Sequence, residues 1–239
     1  MGNLIKGIIL MLATVLSGPA WAQAQNSLDC RLIAYLPPMA TLGAPATAPP
    51  GNTELGLGFG GYGEILPSPC IHAGGENWLV RVRRGLSNRI DLGFDFQTTN
   101  QTDGSLGGTG KLALRYQVTN HFRLEGGVGA ADGGDGGDVN ADLGAVVGTH
   151  RPDKTWNYYA SFRLGAGRGC INCGTNIDHA PGALVPLGTI GTTARISNNA
   201  RFVMEASGFG RVYTRQYSAS AGYIHLSFGV LFDVGKGRE

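Results

Sequence analysis

The residues best suited to chemistry lie in segments rich in Gly, Asp and Asn. Asp178 and His179 are adjacent, and a carboxylate beside an imidazole can serve as a general acid–base pair. The other loop-forming segments offer no identifiable acidic pair that would complete such a site, so we interpret His179 as an exposed loop residue. The sequence also has no nucleophile motif and no phosphate-binding Gly loop in a strand-to-helix context. It therefore predicts a protein that is not an enzyme.

A second candidate site is the acidic run ADGGDGGD, which contains Asp132, Asp135 and Asp138. Ca²⁺ takes several oxygen ligands, and three carboxylates on a flexible loop could wrap around it. Asp between glycines is equally typical of a solvated turn, which is the interpretation we favour. We predict no cofactor, with Ca²⁺ as the alternative.

The four cysteines, Cys30, Cys70, Cys170 and Cys173, are the third candidate group. An even number of cysteines is consistent with an oxidising compartment outside the cytoplasm. The Cys170-Ile171-Asn172-Cys173 spacing allows a local bridge, but no His follows it for haem attachment, and a single pair makes a weak zinc site. A structural disulfide is favoured, and all three pairings stay open.

The composition restricts the elements that could position these residues. The chain has 239 residues, of which 40 are Gly and only 36 (19 basic plus 17 acidic) are charged. Ordinary domains carry roughly 7% Gly and about 25% charged residues, so short strands and turns are favoured over helices. The basic residues are scattered and the net charge is only +2, which argues against a nucleic-acid partner. These values predict an all-β protein.

The N-terminal region consists of two parts that precede the strands. Residues 1–22 combine Lys6, the apolar run Gly7–Leu16 and the small-residue site Ala20-Trp21-Ala22, which is the pattern of a secretory signal peptide. Residues 23–53 form a Pro-rich segment in which extended conformations are favoured. No apolar run in residues 23–239 is long enough for a spanning helix, so a membrane-spanning mature protein would have to be a barrel.

Apolar and polar residues alternate with period two from residue 54 to residue 234, as in half-buried strands. The arms of four predicted hairpins are 78–83 with 90–97, 111–118 with 122–129, 140–147 with 156–164, and 185–196 with 201–211, and two more strands cover 55–60 and 224–232. The fourth hairpin is less regular, with Arg195, Glu205 and Arg211 on its inward face. Four connections are tight, whereas 64–77, 98–110, 131–138, 167–184 and 212–220 are predicted to be longer loops. Short turns at one end and long loops at the other are typical of a transmembrane barrel.

The polar face of these strands carries charges of both signs. They are Arg81, Arg83, Asp91, Asp95, Lys111, Arg115, Arg123, Glu125, Asp142 and Arg163. In a membrane barrel this face lines the interior, where opposite charges can pair, and the apolar face meets lipid. In a soluble sandwich the same alternation would place the apolar face inward and the charges in water. Strands of about ten residues with aromatic residues at their ends favour the barrel.

With its signal peptide, the turns LSNRIDLGFDF and VTNHFRLEGGVG, and the final strand YIHLSFGVLF, the chain resembles the small outer-membrane β-barrel proteins of Gram-negative bacteria. The resemblance implies an antiparallel up-and-down transmembrane β-barrel of about ten strands, placed in outer-membrane lipid by the barrel insertion machinery. Such barrels usually end on an aromatic residue of the last strand, whereas here Val234 and the tail 235–239 follow Phe232. Ten-stranded outer-membrane proteases use Asp-His residues at the barrel mouth, which makes a rim protease at Asp178 and His179 the least favoured function.

The function expected from this architecture is a structural or surface-interaction role, because paired long side chains fill a narrow lumen. The alternatives are a narrow passive channel for small solutes, in which the inward glycines of the first strand leave a path, and a soluble periplasmic β-sandwich binding protein. His225 is expected to be a polar lumen residue. We also hypothesise that the Pro-rich segment plugs the lumen, supported by a bridge between Cys30 and Cys70.

Overall fold

The computed structural model describes residues 32–34, 46–64, 75–101, 106–132, 137–149, 155–171, 182–214 and 218–235. These residues form eleven strands: β1 (Leu32–Ala34), β2 (Thr53–Glu64), β3 (Gly75–Gly85), β4 (Ile90–Gln101), β5 (Leu106–Thr119), β6 (Phe122–Asp132), β7 (Gly137–Gly148), β8 (Trp156–Ile171), β9 (Gly182–Arg195), β10 (Ala200–Thr214) and β11 (Ser218–Val234). Within the described ranges, no helix is long and apolar enough to cross a membrane.

Strands β2 to β11 form a closed barrel. Each pairs antiparallel with the next strand along the chain, and β11 pairs with β2 to close the ring. This confirms the predicted up-and-down barrel of ten strands. The short strand β1 lies outside the ring order and pairs with the far end of β8, with Ile33 opposite Cys170.

The two faces of the barrel wall follow the period of two. Outward side chains are apolar and exposed, as at Leu57 (57% exposed) and Phe94 (48% exposed), whereas Arg81 and Asp95 on the alternate face are buried. A packed sandwich would bury the apolar set against a second sheet, but here the single sheet closes on its own polar face. The outward band therefore has the character of a lipid-facing surface, and the sandwich alternative is wrong.

The two ends of the barrel differ in how the strands are joined. We call the turn end the end that carries the connections 86–89, 120–121, 149–155 and 196–199, and the loop end the opposite one. Two turns share the pattern apolar-Ser-Asn: the amides of Leu86 and Ser87 donate to the Ile90 carbonyl (2.9 and 3.1 Å), and those of Ile196 and Ser197 donate to the Ala200 carbonyl (2.9 and 3.1 Å). The same short sequence thus makes the same reversal twice.

At the loop end, the bounds predicted for the connections 98–110, 131–138 and 212–220 are wrong, because strands occupy much of each range. Strand β4 continues to Gln101 and β5 already begins at Leu106, while β6 and β7 pair as far as Asp132 opposite Gly137. The apolar alternation on which the prediction depended ends where the lipid-facing band ends. Backbone pairing does not need apolar side chains, so the ladders extend beyond the band into polar and Gly-rich sequence.

The outward band provides a direct test of the face assignment. Phe94→Arg is expected to destabilise the barrel in lipid vesicles by about 2–4 kcal/mol, because it places a charge in the middle of the lipid-facing surface. Tyr116→Arg is the matched control: Tyr116 lies opposite Ile90 at the turn end, and near an interface the same change costs only about 0–1 kcal/mol. Urea unfolding followed by gel mobility without heating measures both. Equal effects would contradict the assignment.

Candidate functional site: the charged barrel interior

The barrel interior holds a balanced set of buried charges. Six cations (Arg81, Arg83, Lys111, Arg115, Arg123 and Arg163) and six anions (Glu54, Asp91, Asp95, Glu125, Asp142 and Glu205) are each at most 7% exposed. All ten residues proposed from the sequence as a lumen network belong to this set. Because a buried charge is costly unless it is paired, the arrangement of partners decides what the interior can do.

Asp95 is the central acid of the network. Arg81 binds it with two hydrogen bonds, from Nε to Oδ1 (2.6 Å) and from Nη2 to Oδ2 (2.9 Å). Arg115 Nη2 donates to Asp95 Oδ2 (2.9 Å), and Lys111 Nζ lies 4.0 Å from the same oxygen. The register places Arg81, Asp95 and Lys111 directly opposite one another on β3, β4 and β5. Three cations therefore share one carboxylate.

A second row lies nearer the turn end. Asp91, Arg115 and Glu125 are directly opposite one another on β4, β5 and β6. Arg115 Nη1 donates to Asp91 Oδ1 (3.3 Å), and Arg123 Nη2 donates to Glu125 Oε2 (2.8 Å). Arg115 joins this row to Asp95, because its guanidinium lies over Gly93, where a Cβ would approach Nη1 to 2.3 Å.

Asp142 on β7 extends the network to β8. It accepts hydrogen bonds at Oδ2 from Lys111 Nζ (2.7 Å) and Arg163 Nη1 (3.2 Å). Lys111 reaches it across β6 by passing over Gly127, where a Cβ would lie 2.8 Å from the Lys111 side chain. Gly93 and Gly127 thus leave room for long side chains from a neighbouring strand, and we call them glycine seats; at Gly127 the Lys111 side chain crosses β6 to reach an acid on β7.

The sequence prediction missed Glu54 as a member of the network. Glu54 Oε1 lies 3.2 Å from Arg83 Nη1, and Arg201 Nη2 donates to Glu54 Oε2 (2.7 Å) and to Asp233 Oδ1 (3.1 Å). The period of two could have identified Glu54, because it lies on the same inward face of β2 as Gly56 and Gly58. Since these two neighbours are glycines, the sequence pattern indicated a face of small residues and not a charged one.

The wall formed by β8 to β11 is mostly uncharged. Ser161, Thr189, Ser207 and His225 lie in one register row across the four strands. Thr189 and Ser207 are hydrogen-bonded through their hydroxyls (2.9 Å), and Asn77 Nδ2 lies 2.7 Å from His225 Nε2. His225 is fully buried on the inward face. We call these four residues, three with hydroxyl groups and one with an imidazole, the hydroxyl row.

Tyr159 on β8 and Glu205 on β10 form a long-range contact on this wall. The Tyr159 hydroxyl donates to Glu205 Oε1, and its ring crosses β9 above Gly191, where a Cβ would lie 2.4 Å from Cζ. Val203 and Leu231 pack in the same apolar cluster as Tyr159.

The inward residues predicted for the fourth hairpin, now β9 and β10, differ in burial. Glu205 is buried, but Arg195 is exposed because it is the last residue of β9, beyond the buried stretch. The Arg211 side chain lies outside the described residues.

Side chains of the neighbouring strands lie close to two inward glycines of β2. A Cβ at Gly56 would lie 2.9 Å from Leu231 Cδ2 and 3.1 Å from Arg81 Cβ, and one at Gly60 would lie 2.6 Å from His225 Nε2. Side chains of β3 and β11 therefore occupy the space directly above Gly56 and Gly60. The narrow path expected from the sequence stays a prediction.

A segment before β2, Ala46–Pro50, lies across the inner rim of the turn end; we call it the strap. The Thr47 amide and hydroxyl donate to Gln117 Oε1 (3.3 and 3.0 Å), and the Ala48 amide donates to Asp91 Oδ2 (3.0 Å). Arg123 Nη1 donates to the Ala46 carbonyl (3.2 Å). The strap thus uses the outermost groups of the charge network as its binding site.

The other candidate groups lie mainly beyond the description. Asp135, Asp178, His179, Cys30, Cys70 and Cys173 are outside the described residues. Asp132 and Asp138 belong to the adjoining ends of β6 and β7, and Cys170 belongs to β8. The described residues contain no group of three His, Cys, Asp or Glu side chains that could hold a metal ion.

Comparison with known proteins gives matches at the level of structure. No protein-family model and no curated protein sequence matches the chain. Among solved structures, it is similar to an outer membrane channel from Pseudomonas putida F1 (12% identity, 81% of this chain and 99% of that one, TM-score 0.47). It is also similar to the outer membrane protease OmpT from Escherichia coli (10% identity, 76% and 96%, TM-score 0.41) and to the translocator domain of the autotransporter NalP from Neisseria meningitidis (13% identity, 81% and 90%, TM-score 0.41).

The closed ring with its apolar outer band and charged interior decides the class. The chain folds as a closed, ten-stranded, antiparallel up-and-down β-barrel. Identities of 10–13% to a channel, a protease and a translocator concern the barrel alone, since one fold carries many functions. The features of this chain that bear on function are the side chains of its own barrel interior.

Proposed function

We propose that this barrel is exported to the outer membrane and serves there as a structural or surface-interaction protein whose lumen is closed to solutes. The observation that carries the proposal is the interior itself: twelve charged side chains, six of each sign, are at most 7% exposed. Ion pairs join neighbours on β2 to β8, from Glu54–Arg83 to Arg163–Asp142. Opening a path would require breaking several buried pairs, each of which is costly to separate.

The proposal includes the route to the membrane. Residues 1–22 direct export and are removed, the barrel insertion machinery recognises the last strand, and outer-membrane lipid surrounds the apolar band. Phe232 supplies the outward aromatic residue near the end of β11, two residues before Val234. The surface partner would bind the loop end. No catalytic role or cofactor is assigned, and Ca²⁺ at Asp132, Asp135 and Asp138 is kept as the alternative.

Planar bilayer recording tests the closed lumen. Protein recovered from outer membranes and showing a heat-modifiable band is expected to insert without discrete unit conductances. The control is Gln97→Ala, which shortens a neutral inward side chain beside Asp95 and leaves the ion pairs in place. This variant is also expected to insert without unit conductances. Discrete, reproducible conductance steps from the unmodified protein would overturn the proposal.

A narrow passive path is the second candidate, favoured by one observation on the hydroxyl row. Ser161 Oγ and His225 Nδ1, together with Ser227 Oγ on β11, are buried and have no hydrogen-bond partner among the described side chains. Buried polar atoms of this kind are usually satisfied by water, so a thread of water could follow this wall. If unit conductances were found, Ser207→Leu should reduce them and Gln97→Ala should not.

A further inference from the structure

The sequence just before β2 specifies a turn that carries the strap. The Asn52 amide donates to the Pro49 carbonyl (3.0 Å), which closes a four-residue turn with Pro50 and Gly51 at its centre. Gly51 has a φ of +76°, and a type II turn needs such a value at its third residue and favours Pro at its second. The local sequence therefore already favours a strap folded back from β2.

The strap covers charged side chains that lie close to the barrel mouth. Asp91 and Arg123 are the second residues of β4 and β6, yet both are 0% exposed. The Ala48 amide donates to Asp91, and Arg123 donates to the Ala46 carbonyl. Arg201 holds the same second position on β10, outside the hydrogen bonds of the strap, and its side chain is 24% exposed. This difference indicates that the strap excludes solvent from the rim charges of β4 and β6.

Apolar side chains fill the other half of the turn end. Four members of the buried apolar cluster come from β7, β8, β10 and β11: Val146, Tyr159, Val203 and Leu231. The Tyr159 ring crosses β9 above Gly191, and Leu231 Cδ2 lies 2.9 Å from where a Cβ at Gly56 of β2 would be. Val146 is directly opposite Arg123, so the cluster begins where the strap contacts end.

The strap and the cluster together line every strand of the ring at the turn end. The strap contacts β3 to β6, and the cluster occupies or covers β7 to β11 and β2. The cluster side chains belong to paired strands, whereas the strap is joined to the rim by four hydrogen bonds with side chains and one bridge. The strap is therefore the part that can move without breaking the barrel wall.

We infer that the strap is a releasable lid: when docked it completes the seal of the turn end, and when displaced it exposes the rim of Asp91, Gln117 and Arg123. Asp95 and Asp142 lie four residues deeper, Asp95 along β4 and Asp142 opposite Gly127 of β6, so displacement leaves them covered. The inference rests on the proposed closed lumen, to which it adds one movable part. Because short turns of outer-membrane barrels face the periplasm, the lid opens toward that compartment.

Carboxyl labelling in detergent micelles tests the cover. A water-soluble carbodiimide with glycine ethyl ester marks solvent-accessible acids, and mass spectrometry reads each acid separately. Gln117→Met removes the acceptor of the Thr47 amide and hydroxyl, so labelling of Asp91 is expected to rise by about ten-fold as the strap opens. Gln97→Met is the matched control, because it makes the same change six residues (97 minus 91) beyond Asp91 on β4, and it should leave Asp91 labelling unchanged. Heat-modifiable gel mobility verifies that each variant is folded.

A second variant acts on the strap and leaves the rim intact. Ala48 is 3% exposed beside Asp91, so Ala48→Asp would bury an unpaired carboxylate next to an existing one, which is costly. This variant should displace the strap and raise Asp91 labelling by about ten-fold as well. A rise in either variant supports the lid, whereas unchanged labelling in both overturns it. Labelling of Asp95 and Asp142 in the unmodified protein would instead contradict the closed lumen, and the lid would still be judged by the difference at Asp91.

Hydrogen exchange of the unmodified protein tests whether the lid moves. The Thr47 and Ala48 amides donate to rim side chains, so they should exchange about ten-fold more slowly than in an unstructured peptide. They should also exchange about ten-fold faster than the amides of the β4 ladders, since opening the strap breaks no strand pairing. Exchange as slow as that of β4 would show a fixed part of the wall, and exchange as fast as in a free peptide would show an undocked segment. Either result overturns the lid.

Discussion

Asp95→Ala should lower the free energy of unfolding of the barrel by about 3–5 kcal/mol, the cost of leaving buried charges without their partner. The change removes the acid bound by Arg81 and Arg115 and lying 4.0 Å from Lys111. Three buried cations would then crowd the same part of the interior with too few anions. Urea unfolding in detergent or lipid, followed by gel mobility without heating, measures the change.

Gln97→Ala is the matched control for this result. Gln97 follows Asp95 on the same face of β4 and is equally buried, but it carries no charge. Its loss is expected to cost about 1 kcal/mol, as for an ordinary hydrogen-bonding side chain. If both substitutions cost the same, the charge on Asp95 contributes nothing beyond packing, and the network does not hold the interior closed.

Tyr159→Ala should destabilise the barrel by about 3–5 kcal/mol, as for removal of a large buried aromatic side chain. The substitution empties the space above Gly191 and leaves Glu205 without the hydroxyl that donates to it. Tyr158→Ala, one residue earlier, provides the comparison, because Tyr158 is 56% exposed on the outer face whereas Tyr159 is 4% exposed.

Two further variants separate the contributions at this contact. Tyr159→Phe keeps the ring and removes the hydroxyl, so it should cost about 1–3 kcal/mol, the cost of an unsatisfied buried polar group. Gly191→Ala should also destabilise, since its Cβ would meet the Tyr159 ring. A Tyr158→Ala effect as large as that of Tyr159→Ala would show that the inward position carries no special role.

The fold was largely predictable because lipid imposes a strict period of two. Every strand that alternates apolar and polar residues, such as Ile90–Gln97, was assigned to the correct face, since a one-residue shift would place Asp91 and Asp95 in lipid. The loop-end extensions of β4 and β5 were not predictable in this way. There the outer face meets water, and Thr99 and Gly107 pair without any hydropathy signal.

The interior was predictable in its members but not in its connections. Sequence parity placed Arg81, Asp95 and Arg115 on one face, whereas the contact of Arg115 with two acids depends on Gly93 lying beneath it. The Glu54 and Tyr159 contacts depend on similar relations between strands distant in sequence. The strap contacts were not predicted, because a Pro-rich segment carries no pattern that identifies Asp91 or Gln117 as its partners.

The glycine seats described for the interior also make the register of one strand depend on that of its neighbours. Lys111 on β5 finds its seat on β6 at Gly127 and its acid on β7 at Asp142, so its interactions are completed only when three consecutive strands are aligned. A hairpin shifted by two residues keeps its apolar face toward lipid, but the shift moves the Lys111 ammonium away from Asp142. The charged lumen therefore carries register information that the apolar outer face lacks.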